Sequence, residues 1–278
     1  GKRSGANPAC IRIDLMTQKS VLVVGAGMLQ KGIMQEAKNL GLCVIATDSN
    51  PCAAARDSAD EFYVLNTYDI EGHCILVRDL MRMHALQGVV CCGNDVAPTV
   101  SAAAAVAGTL GIPLEVARLT HDKAAVRIAL DHAGLAHYQP RWLWRRETCT
   151  RHLEAEVAET CGYPCVVKPL EQRASRGVSI VHERQELAGA IRKACEYGPT
   201  YLMEACLTGT EHSVEILLDR DGDFSSVCWF NIVDRVFDYS TGVPLELGHI
   251  NPSQLPKSAR REVSQLMVDT SLALGVRW

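Results

Sequence analysis

One charge inside an apolar strand does most to limit what this 278-residue chain can become. Cys165-Val166-Val167-Lys168-Pro169 has the composition of a buried strand, yet it carries a lysine. Burying an ammonium is costly unless an anion neutralises it, so the strand predicts a phosphate or similar group beside Lys168. Ala174-Ser175-Arg176-Gly177-Val178 then reads as a tight turn into a second strand, Val178-Ser179-Ile180-Val181, with backbone N–H groups facing that anion. A third strand, Tyr201-Leu202-Met203, leads into Glu204-Ala205-Cys206-Leu207, an apolar connector able to sandwich a flat base. After a glycine turn, Glu211 is placed to accept from two vicinal ribose hydroxyls. Taken singly these features are ordinary: a strand lysine is commonly an edge residue with its head in water, and Gly-Thr-Glu is commonly only a turn. Their joint order describes an ATP site.

In that order the residues resemble the ATP-grasp superfamily, which includes carbamoyl-phosphate synthase, biotin carboxylase, the D-alanine ligases and many amino-acid ligases. The resemblance implies that Lys168 contacts the α and β phosphates and that Lys123, heading a helix in Thr120-His121-Asp122-Lys123, contacts the α phosphate. It implies that Glu204, Ala205, Cys206 and Leu207 frame the adenine through main-chain hydrogen bonds, that Glu211 holds the ribose, and that Ser175, Arg176 and Gly177 cover the phosphates. Leu170-Glu171-Gln172-Arg173-Ala174 departs from the usual pattern by holding no glycine, which leaves Gly177 alone to keep the turn flexible. Asp234-Arg235 and Glu246-Leu247-Gly248-His249 resemble the segment that borders the acceptor substrate, making Arg235 and His249 the candidate catalytic residues. For His249, a cap on the turn before Pro252 is an equally open reading.

Ahead of this region the pattern is strand, helix, strand: Ser20–Val24, the turn Gly25-Ala26-Gly27, a helix near Gln30 to Leu40, then Cys43–Asp48. It looks like a dinucleotide fingerprint, except that Gln30 stands where a third glycine would permit close helix packing. The same segment resembles the domain that precedes the nucleotide domain in carbamoyl-phosphate synthase and related ligases. Ligands of open parallel sheets sit at the carboxyl ends of strands, so Asn94 and Asp95 are candidates for shaping a substrate pocket, or else they cap the helix from Val96 to Gly108. Leu119 to Ala133 reads as one amphipathic helix capped by Thr120. The expected fold is α/β: an extension over 1–18, a Rossmann-like pre-ATP-grasp domain over 19–115, and an incomplete ATP-grasp α+β domain over 116–278.

A hydrophobic content of 47% leaves ample core, and a formal charge of −4 with no basic cluster beyond Arg141 to Arg151 argues against nucleic acid or an anionic membrane as partner. No apolar run is long enough to span a bilayer and Gly1 to Ala9 has no apolar h-region, so a cytoplasmic protein is expected. The twelve cysteines show no Cys-x-x-Cys pair and no histidine at zinc spacing, which reads as reduced thiols without a metal site. After the strand Ser213–Asp219, an Asp221-Gly222-Asp223 hairpin turn, the strand Ser225–Val233 and a helix over Lys257 to Leu274, the sequence stops. The resemblance places the magnesium ligands, two acids and an asparagine, in strands beyond that point. It thus implies ATP and Mg2+ as cofactors, a small carboxylate and an amine as substrates, and a ligase that proceeds through an acyl phosphate. The chain as given is then expected to be inactive and either to form a homodimer through an uncovered sheet face or to aggregate. Two alternatives stay open, a catalytically dead nucleotide-binding module and an NAD(P)-dependent oxidoreductase built on the first domain.

Overall fold

The computed structural model describes residues 18–146, 152–170, 175–218, 227–238, 240 and 245–276. The expected extension up to residue 17, the glycine-free segment 171–174 and the hairpin turn at 221–223 therefore lie outside the described residues. The chain divides into two compact units, the first running to Arg118 and the second from Leu119.

In the first unit, β1 (Lys19–Val24), α1 (Lys31–Asn39), β2 (Cys43–Asp48), β3 (Glu61–Val64), α2 (Ile70–Leu80), β4 (Ala85–Val90) and α3 (Ala97–Ala107) alternate. The four strands form a parallel sheet in the order β3-β2-β1-β4. Crossover helices cover both faces of such a sheet, so central strands are apolar throughout, as Val21–Val24 are. Successive side chains serve opposite faces: Leu22, Val24 and Ile45 pack with Val77, Leu80 and Ala103, while Val21, Val23 and Val44 pack with Met34 and Ala37. Helix α3 starts at Val96 with no side-chain cap. Asn94 does not cap it, because its amide oxygen is taken by the Asp95 N–H at 2.9 Å.

The single helix expected over Leu119–Ala133 is two helices, α4 (Leu114–His121) and α5 (Lys123–His132). Asp122 causes the break. Its backbone is extended and its carboxylate accepts from the N–H groups of Ala124 and Ala125, at 2.9 and 3.0 Å, so the cap is Asp122 and not Thr120.

The second unit continues with β5 (Trp142–Arg146), α6 (Leu153–Thr160), β6 (Cys165–Pro169), β7 (Ser179–Val181), α7 (Leu187–Cys195) and β8 (Thr200–Ala205). These strands form an antiparallel sheet in the order β5-β8-β6-β7. Residues Cys165 and Val167 face a core shared with Leu153, Val157, Leu187, Ile191 and Tyr201. Val166 and Lys168 alternate onto the other, half-buried face. A second antiparallel sheet, in the order β11-β10-β9, is built from β9 (His212–Leu218), β10 (Val227–Asp238) and β11 (Leu245–Ile250), and is followed by α8 (Lys257–Ala273). The cysteines among the described residues are free, and burial pushes the Cys161 and Cys165 thiols up to about 11. No helix among the described residues is long and apolar enough to cross a membrane.

Candidate active site

Lys168 lies on the β6 face turned away from α6 and α7, one diagonal step across the strand pair from Glu204: Glu204 is paired with Val166, two residues before the lysine. The ammonium is bonded to Glu204 Oε1, and the other carboxylate oxygen accepts from Arg127 Nη2 at 2.9 Å. Glu204 is only 8% exposed, so it is a buried carboxylate held between two cations. The sequence expectation that Lys168 depends on an external phosphate for neutralisation is thereby corrected, because the chain supplies its own counter-ion. Arg127 was not expected in the site. It lies one helical turn after Lys123 on α5, a spacing that puts both cations on one side of the helix, and that spacing was the available signal.

Lys123 is the first residue of α5, and its ammonium donates to the carbonyl oxygen of Leu170 at 2.7 Å, just past the end of β6. With Arg127 and Lys168 it brings three cationic side chains to the region around the Glu204 carboxylate. Ser175 and Gly177 both adopt left-handed backbone, at φ 57° and 73°. A Cβ on Gly177 would lie 2.7 Å from the Tyr197 ring and 3.0 Å from Pro169, so only glycine allows this turn to fold down onto the end of β6. Arg176 is exposed.

Beyond Glu204 the main chain is partly committed: the Ala205 N–H donates to Arg141 O at 2.9 Å and the Cys206 N–H to Pro164 O at 3.1 Å. Leu207 is 72% exposed, with its side chain presented outward at the exit from β8. The stretch from Cys206 to Glu211 then connects β8 to β9.

Glu211, Arg235 and His249 form a second group, on the three-stranded sheet. Arg235 and His249 are direct cross-strand partners on β10 and β11. Arg235 makes a two-pronged contact to Glu246, Nε to Oε1 at 2.8 Å and Nη2 to Oε2 at 2.9 Å, and reaches Glu211 at 3.3 Å. Its guanidinium lies 4.6 Å from the centre of the Phe237 ring. His249 Nε2 is 2.9 Å from Glu246 Oε1. Arg235 holds the Glu246 carboxyl below the usual carboxylate range, helped by His249. His249 thus contacts Glu246, and among the described residues it makes no cap before Pro252. Beside this group, Asp234 accepts from the Ser253 hydroxyl and from the Gln254 N–H, and pairs with His212 Nδ1 at 2.8 Å; these bonds hold its carboxyl low as well.

In the first unit, Asn94 lines a cavity of about 470 Å³ with Gln87, Val89, Cys91, Ser101 and Ile112. The dinucleotide-like turn is closed by its own residues. Asp48 Oδ2 accepts from the Ala26 N–H at 2.9 Å, and the Gln30 amide, 4% exposed, donates to the Cys92 carbonyl. Since a dinucleotide would need Asp48 for its ribose and the space under the turn for its pyrophosphate, these contacts oppose the oxidoreductase reading.

A family model described as D-ala D-ala ligase C-terminus matches residues 130–277, a span that holds Lys168, Glu204, Glu211, Arg235 and His249 but not Lys123 or Arg127. The D-alanine--D-alanine ligase of Pelotomaculum thermopropionicum is 29% identical over 163 residues, covering 57% of this chain and 51% of that protein. Among solved structures, the L-amino acid ligase from Bacillus licheniformis superposes with a TM-score of 0.69 at 22% identity, covering 93% of this chain and 61% of that one. The biotin carboxylase domain of 2-oxoglutarate carboxylase from Hydrogenobacter thermophilus, solved with MgADP, ADP and bicarbonate, gives 0.71 at 20% identity over 94% and 59%. The chain spans about half the length of that curated ligase. With more than half of its own length matched and an ATP-grasp arrangement of sheets, the chain belongs to the D-ala D-ala ligase C-terminus family of the ATP-grasp ligases.

Proposed function

We propose that this chain forms the nucleotide-binding part of an ATP-dependent ligase that joins a small carboxylate to an amine. The observation that carries the proposal is the gathering of three cations, Lys123, Arg127 and Lys168, around the Glu204 carboxylate, beside a turn whose left-handed residues bring backbone close to the end of β6. Such a cluster favours a polyphosphate, and charge stabilisation is the main contribution a protein makes to phosphoryl transfer. In this reading Lys168 and Lys123 hold phosphates under the Ser175-Arg176-Gly177 turn, Glu204 to Leu207 border the adenine and Glu211 meets the ribose. Arg235 and His249 then face the acceptor carboxylate. That carboxylate attacks the γ phosphorus, the bond to the bridging oxygen breaks and ADP leaves. The amine displaces phosphate from the resulting acyl phosphate.

ATP enters such reactions as its magnesium complex. The described residues do not supply a fitting Mg2+ site: Glu211 and Glu246 are already committed to Arg235, and the donor atoms that Cys43, Glu61 and His84 bring within 4.8 Å include a thiol and an imidazole, which a hard ion disfavours. This mismatch favours, as a second reading, nucleotide binding without turnover.

Calorimetry with ADP tests the site. Lys168→Ala should weaken binding by roughly 1–3 kcal/mol, the scale of one lost charged hydrogen bond. Unchanged affinity would make the lysine purely structural and end the proposal. Phosphate release that depends on both a carboxylate and an amine separates a ligase from a binding module.

A further inference from the structure

At the end of the parallel sheet opposite the Gly25 turn, three side chains of different chemistry converge. Cys43 is the first residue of β2, Glu61 the first of β3, and His84 immediately precedes β4. Parallel strands all begin at one end of the sheet, so residues far apart in sequence meet there, which is why no short Cys/His spacing announces the group. One thiol sulfur, one carboxylate oxygen and one imidazole nitrogen lie within 4.8 Å of one another. Glu61 Oε1 is 3.1 Å from His84 Nε2, close to the roughly 3.3 Å that separates two ligand atoms at tetrahedral corners with bonds near 2.0 Å. Tyr63 donates to Glu61 Oε2 at 3.0 Å and so fixes the carboxylate from its far side, the kind of outer contact that orients a metal ligand.

Two further observations point to something missing at this place. Ser20 Oγ is fully buried and has no hydrogen-bond partner, and the same holds for His84 Nδ1 in a histidine 9% exposed. Ser20 is paired in register with Cys43 on the neighbouring parallel strand, so their side chains share a face. Cys43 is 6% exposed, whereas the Glu61 side chain is 35% exposed, which leaves an entry path on the glutamate side.

We propose that Cys43, Glu61 and His84 bind a divalent metal ion of the zinc class. Thiolate, imidazole and carboxylate together suit Zn2+ and its analogues far better than Mg2+ or Ca2+. The thiol releases its proton to solvent as the sulfur–metal bond forms, and a water takes the fourth corner, where it gives the Ser20 hydroxyl a partner. The ion ties the starts of β2 and β3 to the segment leading into β4, a stabilising role separate from the candidate active site.

The test uses the full chain, stripped with chelator and titrated anaerobically with Co2+ and then Zn2+. The expected result is one equivalent of Co2+ per chain, with a near-ultraviolet thiolate charge-transfer band and intense four-coordinate visible bands that Zn2+ abolishes. Cys43→Ser should remove the charge-transfer band, and Glu61→Gln should weaken Co2+ binding at least tenfold with the circular dichroism spectrum unchanged. Should Cys43→Ser fail to fold, Glu61→Gln and His84→Gln carry the test, since the glutamate is partly exposed. Absence of a thiolate band in the parent chain, a band that survives Cys43→Ser, or unchanged affinity in Glu61→Gln would each overturn the site and leave a His84–Glu61 hydrogen bond beside an apolar thiol.

Discussion

Glu204 shows how much of a site depends on pairing that only the folded chain reveals. The sequence places an acid at the end of an apolar strand, where its main chain draws attention. Its side chain proves to be the shared counter-ion of Lys168, 36 residues away, and of Arg127, 77 residues away. Strand register decides the first pairing and the position of α5 decides the second, and neither is written in local composition. The lone charge in Cys165–Pro169 was legible because an ammonium amid apolar neighbours violates strand patterning; the identity of its partner was not. Substituting Glu204→Gln should therefore have two opposed effects. Stability falls by about 2–3 kcal/mol, less than for a wholly enclosed pair because Lys168 and Arg127 keep about a fifth of their side-chain surface in water. Binding of tripolyphosphate tightens, since the internal competitor for both cations is gone. Denaturant melts and calorimetry read the two effects, and weaker tripolyphosphate binding in the variant would show that Glu204 organises the cations more than it competes for them.

At the level of elements, strands whose signal is chemical were read with near-correct ends: Cys165–Pro169 and Cys43–Asp48 coincide with β6 and β2, where apolar runs stop at a proline or an acid. The apolar period over 119–133 continues through Asp122 and so reads as one helix, and only backbone geometry shows that this aspartate ends one helix and caps the next. Removing that cap by Asp122→Ala should cost about 1 kcal/mol and lower the melting temperature, while Asp122→Asn or Asp122→Ser should recover most of the loss. Equal stability in the alanine variant would show that packing alone sets the break. The β9–β10–β11 sheet should also be acid-sensitive. Asp234 and Glu246 both have carboxyls held below their ordinary values by their partners in the fold, so their contribution is present above the unfolded value, about pH 4, and fades as pH falls through the lower folded value. Asp234→Asn should flatten that acid limb in urea titrations between pH 5 and 2, and an unchanged limb would assign acid unfolding to other carboxylates.

For the whole molecule, the main sheets of the two units have separate cores: Leu22, Ile45 and Val77 belong to one, Val167, Leu187 and Tyr201 to the other. Cooperative unfolding follows a shared core, so scanning calorimetry should resolve two transitions, and a single transition whose calorimetric and van't Hoff enthalpies agree would contradict this. The alternation of strands and helices before Gly111 and the antiparallel order after Pro164 made this overall class readable, because hydrophobic period distinguishes the two kinds of sheet. The metal-donor group at the base of the first sheet was invisible for the converse reason, since its residues are neighbours only across strands. The cations around Lys168 have one more effect in a chain whose formal charge as a whole is −4. A small anion approaching Lys123, Arg127 and Lys168 is drawn by their local field before any contact is made, and dissolved salt, by screening that field, slows arrival more than it hastens departure.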